Sequence, residues 1–285
     1  MSPTVYILLP VHNRCAITSR FIDCLETQTC PNYHLVLIDD GSTDGTAAMV
    51  QAKIKNLTVL RGRGDWWWAG SLQQGIEWLM GHEINDDDIV LMINDDVDIP
   101  PDFIETGCAL LKSGMLLQAA VCDQVSRETL DMGVVYEPRT MLFRPPKAGE
   151  PVNCLTTNGL FMRWHDLQSI GGFYPRLLPH YLSDYEFTMR AYRKGLVLES
   201  LPDLKLYWNR ETTGHHVIEE DNLLPFLRKI FSKKTPGNPV YRTSFLLLIG
   251  STRYLPFNLT KIWVGVLYRI FKRMLRMLFP QHKRA

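Results

Sequence analysis

The residues best suited to chemistry follow short apolar runs of the sequence. The most informative group is the Asn-Asp-Asp-Val-Asp stretch at residues 94–98, directly after the run at 89–93. If the extended strand geometry continues, Asn94, Asp96 and Asp98 share one face, because side chains alternate along a strand. Such oxygen ligands suit Mg²⁺ or Mn²⁺, which one or two carboxylates hold while substrate phosphates complete the shell. The alternative, acids that merely solvate a strand end, is disfavoured because three acids directly after an apolar strand are costly without a cation.

Two other apolar runs also end in polar residues. Leu35 to Ile38 leads into Asp39-Asp40-Gly41-Ser42, where a carboxylate can accept hydrogen bonds from a base N–H or a ribose hydroxyl. An Asp-rich turn that caps a helix explains this segment equally well. Val5 to Val11 leads into His12-Asn13-Arg14 without a glycine-rich turn, so neither a dinucleotide fingerprint nor a P-loop is present.

The elements that must position these residues alternate along the chain. Strand-like runs at 5–11, 35–38, 58–60 and 89–93 are separated by helical stretches at 17–28 and 71–80. This rhythm predicts an α/β fold with a mostly parallel sheet covered by helices on both faces. Ligands of such sheets bind at the carboxyl ends of the strands. Further along, Ser183 and Glu186 match a capping box, and Gly195 follows as a stop signal, so a helix is predicted over 184–194.

Together these segments resemble family 2 glycosyltransferases. LLPVHNR, IDDGSTDGT and MINDDV resemble the donor half of that family, and GGFYPRLLPHYLSDYEFTMRAYRKG resembles its acceptor half, so the likeness frames roughly residues 5–200. The rhamnosyltransferase-like, polysaccharide-building members are the subgroup we expect. The resemblance implies a GT-A fold with a Rossmann-like sheet, a nucleoside-diphosphate sugar donor, Mg²⁺ or Mn²⁺, and inversion at the anomeric carbon.

The resemblance also implies roles for single residues. Asp40 would contact the nucleotide base, and Asp184 would be the general base that takes the proton of the acceptor hydroxyl. Asp96 corresponds to the last acid of the family's metal motif, whose first position is Asn94 here. The predicted donor-binding residues are Pro10, His12, Arg14, Asp40, Asp65, Gly70, Asn94 and Asp95. The predicted metal ligands are Asp96, Asp98 and His215, with His216 as the alternative histidine.

Two further segments stay open between a functional and a structural interpretation. The stretch at 61–70 contains three consecutive tryptophans, and it either lines the nucleotide pocket through Asp65 and the glycines or forms core or partner surface. Lys233 and Lys234 either close over the diphosphate or lie in a solvated basic loop.

Charge divides the chain unevenly. Residues 1–221 carry 18 Lys and Arg against 30 Asp and Glu, whereas residues 222–285 carry 13 Lys and Arg and no acid. We therefore predict a catalytic domain at 1–220, with a nucleotide-sugar half at 1–100 and an acceptor half at 101–220, and a basic amphipathic helical extension at 221–285. The extension is expected either to lie on the inner membrane surface or to pack on the domain or on a second subunit.

Composition also limits which classes of protein and which cellular locations fit the chain. Six scattered cysteines without a C-x-x-C pair suit a reducing cytoplasm, and no apolar run reaches the roughly 20 residues that span a bilayer. The expected acceptor is a glycan or a lipid-linked glycan, and nucleic acid is disfavoured because the catalytic half is acidic. The alternatives are a nucleotidyltransferase, which would be expected to carry a Gly-rich basic loop after its first strand, and a non-catalytic sugar-nucleotide binder or membrane scaffold.

Overall fold

Most strands of the chain join one sheet. The computed structural model describes residues 3–209, 223–250 and 253–278. Within these ranges the sheet consists of β1 (Val5–Val11), β2 (Tyr33–Asp39), β3 (Leu57–Arg61), β4 (Ile89–Met92), β5 (Val97–Asp98), β6 (Met115–Asp123), β7 (Thr129–Asp131), β10 (Leu160–Arg163) and β11 (Val197–Trp208). A separate hairpin is formed by β8 (Val135–Glu137) and β9 (Leu142–Arg144).

The strand order sets the position of the loops that follow β1, β2 and β4. It is β3-β2-β1-β4-β10-β6-β11-β5, with β7 added beside β6. β3, β2, β1 and β4 run parallel, whereas β10 is antiparallel to both of its neighbours. Val11 pairs with Asp39 in the register of β1 and β2, so the two strands end side by side. The loops after them therefore start at the same edge of the sheet.

Helices cover both faces of the sheet. Side chains alternate along β1, so Ile7 and Leu9 enter one core while Leu8 enters the other. The first core is covered by α1 (Cys15–Glu26), α2 (Thr46–Lys53) and α4 (Phe103–Leu110). The second is covered by α3 (Trp67–Met80), α5 (Trp164–Ile170) and α6 (Ser183–Arg193). This arrangement confirms the predicted α/β fold with a mostly parallel central sheet.

Three helices follow the sheet: α7 (Leu223–Ile230), α8 (Pro239–Ile249) and α9 (Leu255–Leu278). The Asn238 side chain accepts a hydrogen bond from the Val240 N–H and Pro239 occupies the first turn, which is why α8 begins there. α8 ends at Ile249 and is followed by Gly250, whose φ of 66° lies in the left-handed region that favours glycine. The predicted boundary at residue 220 lies outside the described residues.

The last two helices pack against the hairpin of β8 and β9. Tyr136 and Met141 from the hairpin region share a buried cluster with Phe245 of α8 and Ile262 of α9. The Asn258 side-chain amide also donates to the carbonyl of Pro138 at 2.7 Å. One side of α9 is therefore anchored to the rest of the chain. In the stretches that the structure describes, no helix combines the length and the hydropathy needed to cross a bilayer.

Candidate active site

The loops after β1, β2 and β4 surround a cavity of about 420 Å³. Its size falls within the usual range for small-molecule pockets. Six predicted donor-binding residues line it: Pro10, His12, Arg14, Asp40, Asn94 and Asp95. Residues from elsewhere in the chain complete the wall, among them Trp67, Trp68, Ser71, His180 and Lys234. The sheet thus brings together residues that are 85 positions apart in the sequence.

Asp40 organises the wall on the β2 side. Its carboxylate accepts hydrogen bonds from the backbone N–H groups of Gly64 at 2.8 Å, Trp66 at 2.9 Å and Trp67 at 3.2 Å. Its carbonyl oxygen lies 2.6 Å from Nδ1 of His12. A carboxylate has about four lone-pair positions, so about one remains for a ligand. Asp40 therefore fixes the loop at 62–66, which we call the tryptophan loop, and still faces the cavity.

Glycine is required where the tryptophan loop meets Asp40. A Cβ on Gly62 would lie 2.4 Å from Oδ1 of Asp40 and 2.8 Å from the ring of Trp66. Any larger residue would push the loop away from the carboxylate that holds it. Gly62 thus allows the backbone of the loop to approach the Asp40 carboxylate closely. The sequence pattern alone did not decide whether this glycine had a structural role.

Arg14 links the loop after β1 to the acids after β4. Its Nε lies 3.3 Å from Oδ1 of Asp95, and its Nη2 lies 3.3 Å from Oδ2 of Asp96. Asp95 is buried and also accepts a hydrogen bond from the hydroxyl of Thr18 at 2.8 Å. Burial raises the pKa of Asp95 to about 6, although Arg14 and Thr18 act in the opposite direction. Asp95 is therefore an internal partner of Arg14 at the base of the cavity.

Four buried side-chain atoms of cavity-lining residues lack a hydrogen-bond partner: Oδ1 of Asn94, Nδ1 of His180, and Nε and Nη2 of Arg14, which form ion pairs only. Oδ1 of Asp96 also lacks one, but Asp96 lines a small second pocket that shares Asp95 with the cavity. Buried polar atoms are normally paired, so their clustering at one cavity indicates a place for a polar ligand. Among the described residues, no group of three or more His, Cys, Asp or Glu side chains is arranged to hold a metal ion. The unpaired oxygens of Asn94 and Asp96 are nevertheless of the type that Mg²⁺ or Mn²⁺ prefers, and a substrate diphosphate would supply the remaining ligands.

The predicted shared face of Asn94, Asp96 and Asp98 is wrong. Strand β4 ends at Met92, residues 95 and 96 form a bend, and Asp98 belongs to β5, which pairs with β11. The Asp98 carboxylate lies against Arg20 at 3.3 Å and also accepts a hydrogen bond from the side-chain amide of Gln124. The structure thus places Asp98, like Asp96, outside the cavity that Asn94 lines. His215 and His216, the other predicted metal ligands, lie outside the described residues.

Asp184 opens α6 on the acceptor side. It is partly buried and does not line the cavity, but His180 in the preceding turn does. The Ser183 hydroxyl ties this turn to the start of α6 by donating to the carbonyl of His180 at 2.6 Å. Burial raises the pKa of Asp184 to about 6, and the nearby Asp131 adds to this direction. A carboxyl with this pKa is ionised at neutral pH and accepts a proton more readily than an ordinary aspartate.

The predicted capping box at the start of α6 is wrong. Glu186 does not reach back to the helix start but forms a buried pair with Arg190, with both of its oxygens 3.0 Å from the guanidinium. Arg190 also donates to the carbonyls of Ile170 and Gly172, each at 2.8 Å. This clamp holds the start of the loop at 171–182, which carries His180 to the cavity and leads into α6.

Two cavity residues come from positions without a clear signal in the sequence. His180 lies in the middle of the acceptor-half segment, and no spacing singled it out. Lys234 lies between α7 and α8 and lines the cavity, whereas the neighbouring Lys233 has its Nζ 5.6 Å from the ring centre of Trp67. A pair of lysines before Thr235 was the only signal, and it was equally compatible with a solvated loop.

Asp65 and Gly70 lie in the next groove instead of the main cavity. They share it with Phe173, Lys233 and Tyr241. Gly70 is buried in the first turn of α3, where a Cβ would come 3.2 Å from that of Trp66. Their predicted contact with the donor stays a prediction, and Gly70 has a packing role in the structure.

A family model matches the chain over residues 6–197, and its description is glycosyl transferase family 2. The match covers the sheet and the loops that carry the cavity. The chain belongs to glycosyltransferase family 2. No curated protein matches the chain by sequence.

Solved structures of glycosyltransferases share the fold of this family 2 chain. Residues 1–349 of TarS from S. aureus, in complex with UDP, match with a TM-score of 0.60 at 16% identity over 99% of this chain and 93% of that chain. The mannosyltransferase PcManGT from Pyrobaculum calidifontis, in complex with GDP-Man and Mn²⁺, matches with 0.57 at 16% identity over 98% and 82%. GalNAc-T7 with UDP, GalNAc and Mn²⁺ matches with 0.62 at 10% identity over 85% and 48%.

This family 2 chain spans about half the length of two of the matched proteins. It covers 44% of the S. aureus TarS chain and 48% of the GalNAc-T7 chain. At 10 to 17% identity, these similarities establish the GT-A-type fold.

Proposed function

We propose that the protein transfers a sugar from a nucleoside-diphosphate sugar to an acceptor hydroxyl with inversion at the anomeric carbon. The observation that carries the proposal is the cavity at the strand ends, where Asn94 has an unpaired buried oxygen and Lys234 supplies positive charge. Arg14 links this cavity to Asp96, which has a second unpaired oxygen beside it. The base and ribose of a nucleotide sugar are neutral and form hydrogen bonds, whereas its diphosphate is anionic. The cavity offers groups of both kinds.

The nucleoside would bind on the β1 and β2 side. Asp40 has about one lone-pair position left for a base N–H or a ribose hydroxyl after its three backbone contacts. His12 lies next to it and lines the same wall. The diphosphate would extend toward Lys234, which makes no ion pair within the part of the chain that the structure describes.

A divalent metal would be held by Asn94 and Asp96 together with the donor diphosphate. When bound, it would act as a Lewis acid that stabilises the charge of the departing diphosphate. Arg14 would hold Asp96 in place through the contact at 3.3 Å. The complexes of PcManGT and GalNAc-T7 contain Mn²⁺, which agrees with this choice of cation.

Asp184 is the general base of the proposed reaction. The acceptor oxygen bonds to the anomeric carbon while the bond from that carbon to the diphosphate oxygen breaks. The acceptor proton passes to the Asp184 carboxylate, and the electron pair of the broken bond leaves with the nucleoside diphosphate. The raised pKa of Asp184, about 6, suits a group that must take up a proton near neutral pH.

The acceptor that we propose is a glycan or a lipid-linked glycan, and the proposed site of action is the cytoplasm. The rhamnosyltransferase-like, polysaccharide-building subgroup is part of the same proposal. It derives from the sequence resemblance alone.

Thermal unfolding with a panel of nucleotide sugars, with and without Mn²⁺, tests the proposal. A bound donor raises the melting temperature by mass action, and we expect Mn²⁺ to increase the effect. Asp96→Ala should lose the Mn²⁺-dependent part while keeping the metal-free part. Glu83→Ala, an exposed acid after α3, serves as the control. An unchanged Mn²⁺ dependence in Asp96→Ala would remove Asp96 from the proposed site.

Product analysis separates the proposal from its main rival. A glycosyltransferase releases a nucleoside diphosphate, whereas a nucleotidyltransferase consumes a nucleoside triphosphate and releases pyrophosphate. Detection of pyrophosphate release with a sugar phosphate as co-substrate would favour the rival. Donor binding without turnover across a panel of acceptors would favour a non-catalytic binder.

A further inference from the structure

Helix α9 has two apolar sides. Ile262 and Val266 are buried against the rest of the chain, beside the buried polar residue Asn258. Eight large apolar side chains of the same helix are nevertheless between 39 and 63% exposed: Phe257, Trp263, Val264, Leu267, Tyr268, Phe271, Met274 and Leu275. An exposed apolar set of this size within one helix is unusual for a surface that faces only water.

The exposed apolar residues form one continuous face. At 3.6 residues per turn they fall within an arc of about 140°, and the stretch from Phe257 to Leu275 is about 27 Å long. Lys261 and Lys272 are exposed and project next to this arc, on the side between it and the buried face. We call the eight apolar residues the outer face of α9 and these two lysines its basic flank.

Charge decides what covers the outer face. Residues 222–285 carry 13 Lys and Arg and no acid, so neither this helix nor its neighbours α7 and α8 supply a negative partner for the basic flank. A two-fold contact between two copies through the outer face would bring four lysines of like charge together. Lysine is also depleted from the cores of protein interfaces. A partner that is apolar in its interior and anionic at its surface satisfies both features.

We propose that the outer face of α9 docks on a membrane surface that contains anionic lipid. The helix lies in the interface, with its apolar side chains among the acyl chains and the basic flank at the headgroups. Residues 1–221 carry an excess of acids, so the same charge pattern turns the sheet domain away from the lipid. This inference is independent of the proposed reaction, because it uses none of the cavity residues.

Sedimentation with vesicles tests the proposal on the full chain. We expect binding to vesicles of phosphatidylglycerol and phosphatidylcholine, and much weaker binding to phosphatidylcholine alone. Each neutralised lysine should weaken binding about fivefold, so Lys261→Gln with Lys272→Gln should lose about 25-fold. The matched control is Lys55→Gln with Lys112→Gln, which removes the same charge from exposed positions of the sheet domain.

A second pair of variants tests the apolar contribution. Leu267→Glu with Phe271→Glu should abolish binding, whereas Leu142→Glu with Val125→Glu, also exposed, should not. Circular dichroism reports whether each variant is folded, and if the glutamate variant unfolds, the lysine variant alone decides. Equal binding by wild type and the lysine variant, or no binding to anionic vesicles, would overturn the proposal. So would a wild-type dimer that the glutamate substitutions convert to monomer, because a second copy would then cover the face.

Discussion

Replacing Asp184 by Asn should abolish transfer and at the same time stabilise the fold. The Asp184 carboxyl is partly buried, and Asp131, Cys154 and Tyr185 are close enough to interact with it electrostatically, without a cation among them. The charge of the ionised Asp184 carboxylate is therefore not offset by a nearby cation. An amide removes that charge and can still accept the backbone hydrogen bond that Tyr185 N–H gives to Oδ1.

The size of the effect follows from the pKa. The carboxyl has a pKa of about 6 in the folded chain against an ordinary value of 3.8. The folded state thus keeps its proton to higher pH than the unfolded state, and stability falls as pH rises from about 4 to about 6. By this linkage the charge destabilises the fold by about 1 kcal/mol at pH 4.5 and by about 3 kcal/mol at pH 8.

Calorimetry at the two pH values measures this difference. We expect the advantage of Asp184→Asn over wild type to grow by about 2 kcal/mol between pH 4.5 and pH 8, or roughly 4–8 °C in melting temperature. Asp203→Asn, at an exposed position, should show no such growth. An advantage of equal size at both pH values would refute the reasoning that burial of the charge sets the pKa.

Three further changes test how the site is built. Arg190→Met should lower the free energy of unfolding by about 3–5 kcal/mol in urea titration, because Glu186 stays buried without its partner. Adding Glu186→Gln should restore part of this loss, since the buried charge is then removed. A loss below about 1 kcal/mol would contradict the stabilising role of the Glu186–Arg190 pair. Gly62→Ala should weaken nucleotide binding in calorimetric titration, since its Cβ would lie 2.4 Å from a carboxylate oxygen, whereas Gly237→Ala, with open space around it, should not. Lys234→Ala should weaken binding of a nucleoside diphosphate about tenfold and leave binding of the nucleoside unchanged; an equal loss for both ligands would show that the lysine acts on the fold of the loop and not on the phosphates.

Wild-type activity should also follow the raised pKa of Asp184. If Asp184 is the general base, as we propose, it is protonated below about pH 6, so the initial rate of transfer should fall as pH drops through that value. A rate that stays level down to pH 5 would assign the proton transfer to another group.

The sequence was sufficient to predict the sheet and most of one cavity wall. Runs of apolar residues predict parallel strands, and the ends of such strands meet, so Asp40 and Asn94 could be placed together without coordinates. Asp98 could not be placed correctly, because the bend at 95–96 follows from pairing of β5 with β11, more than 100 positions later. Local alternation carries no information about such a distant partner.

The acceptor side was harder to predict for the same physical reason. Glu186 suited a cap by spacing, but Arg190 at the next turn competes for it and wins because both side chains are buried. Lys234 reaches the cavity because the segment between α7 and α8 packs beside it. The periodicity of the strands gives no information about the position of that segment.

The position of Lys234 means that the segment matched by the family model and the segment that lines the cavity end at different residues. The family match stops at residue 197, yet Lys234 of the cavity lining lies beyond it. A fragment trimmed to the matched segment would retain the strand-end acids but lose the lysine that lies beside them in the cavity. It would also bare Tyr136 and Met141, which α8 and α9 now shield from water. Expression or transplantation of this domain should therefore keep the downstream helices.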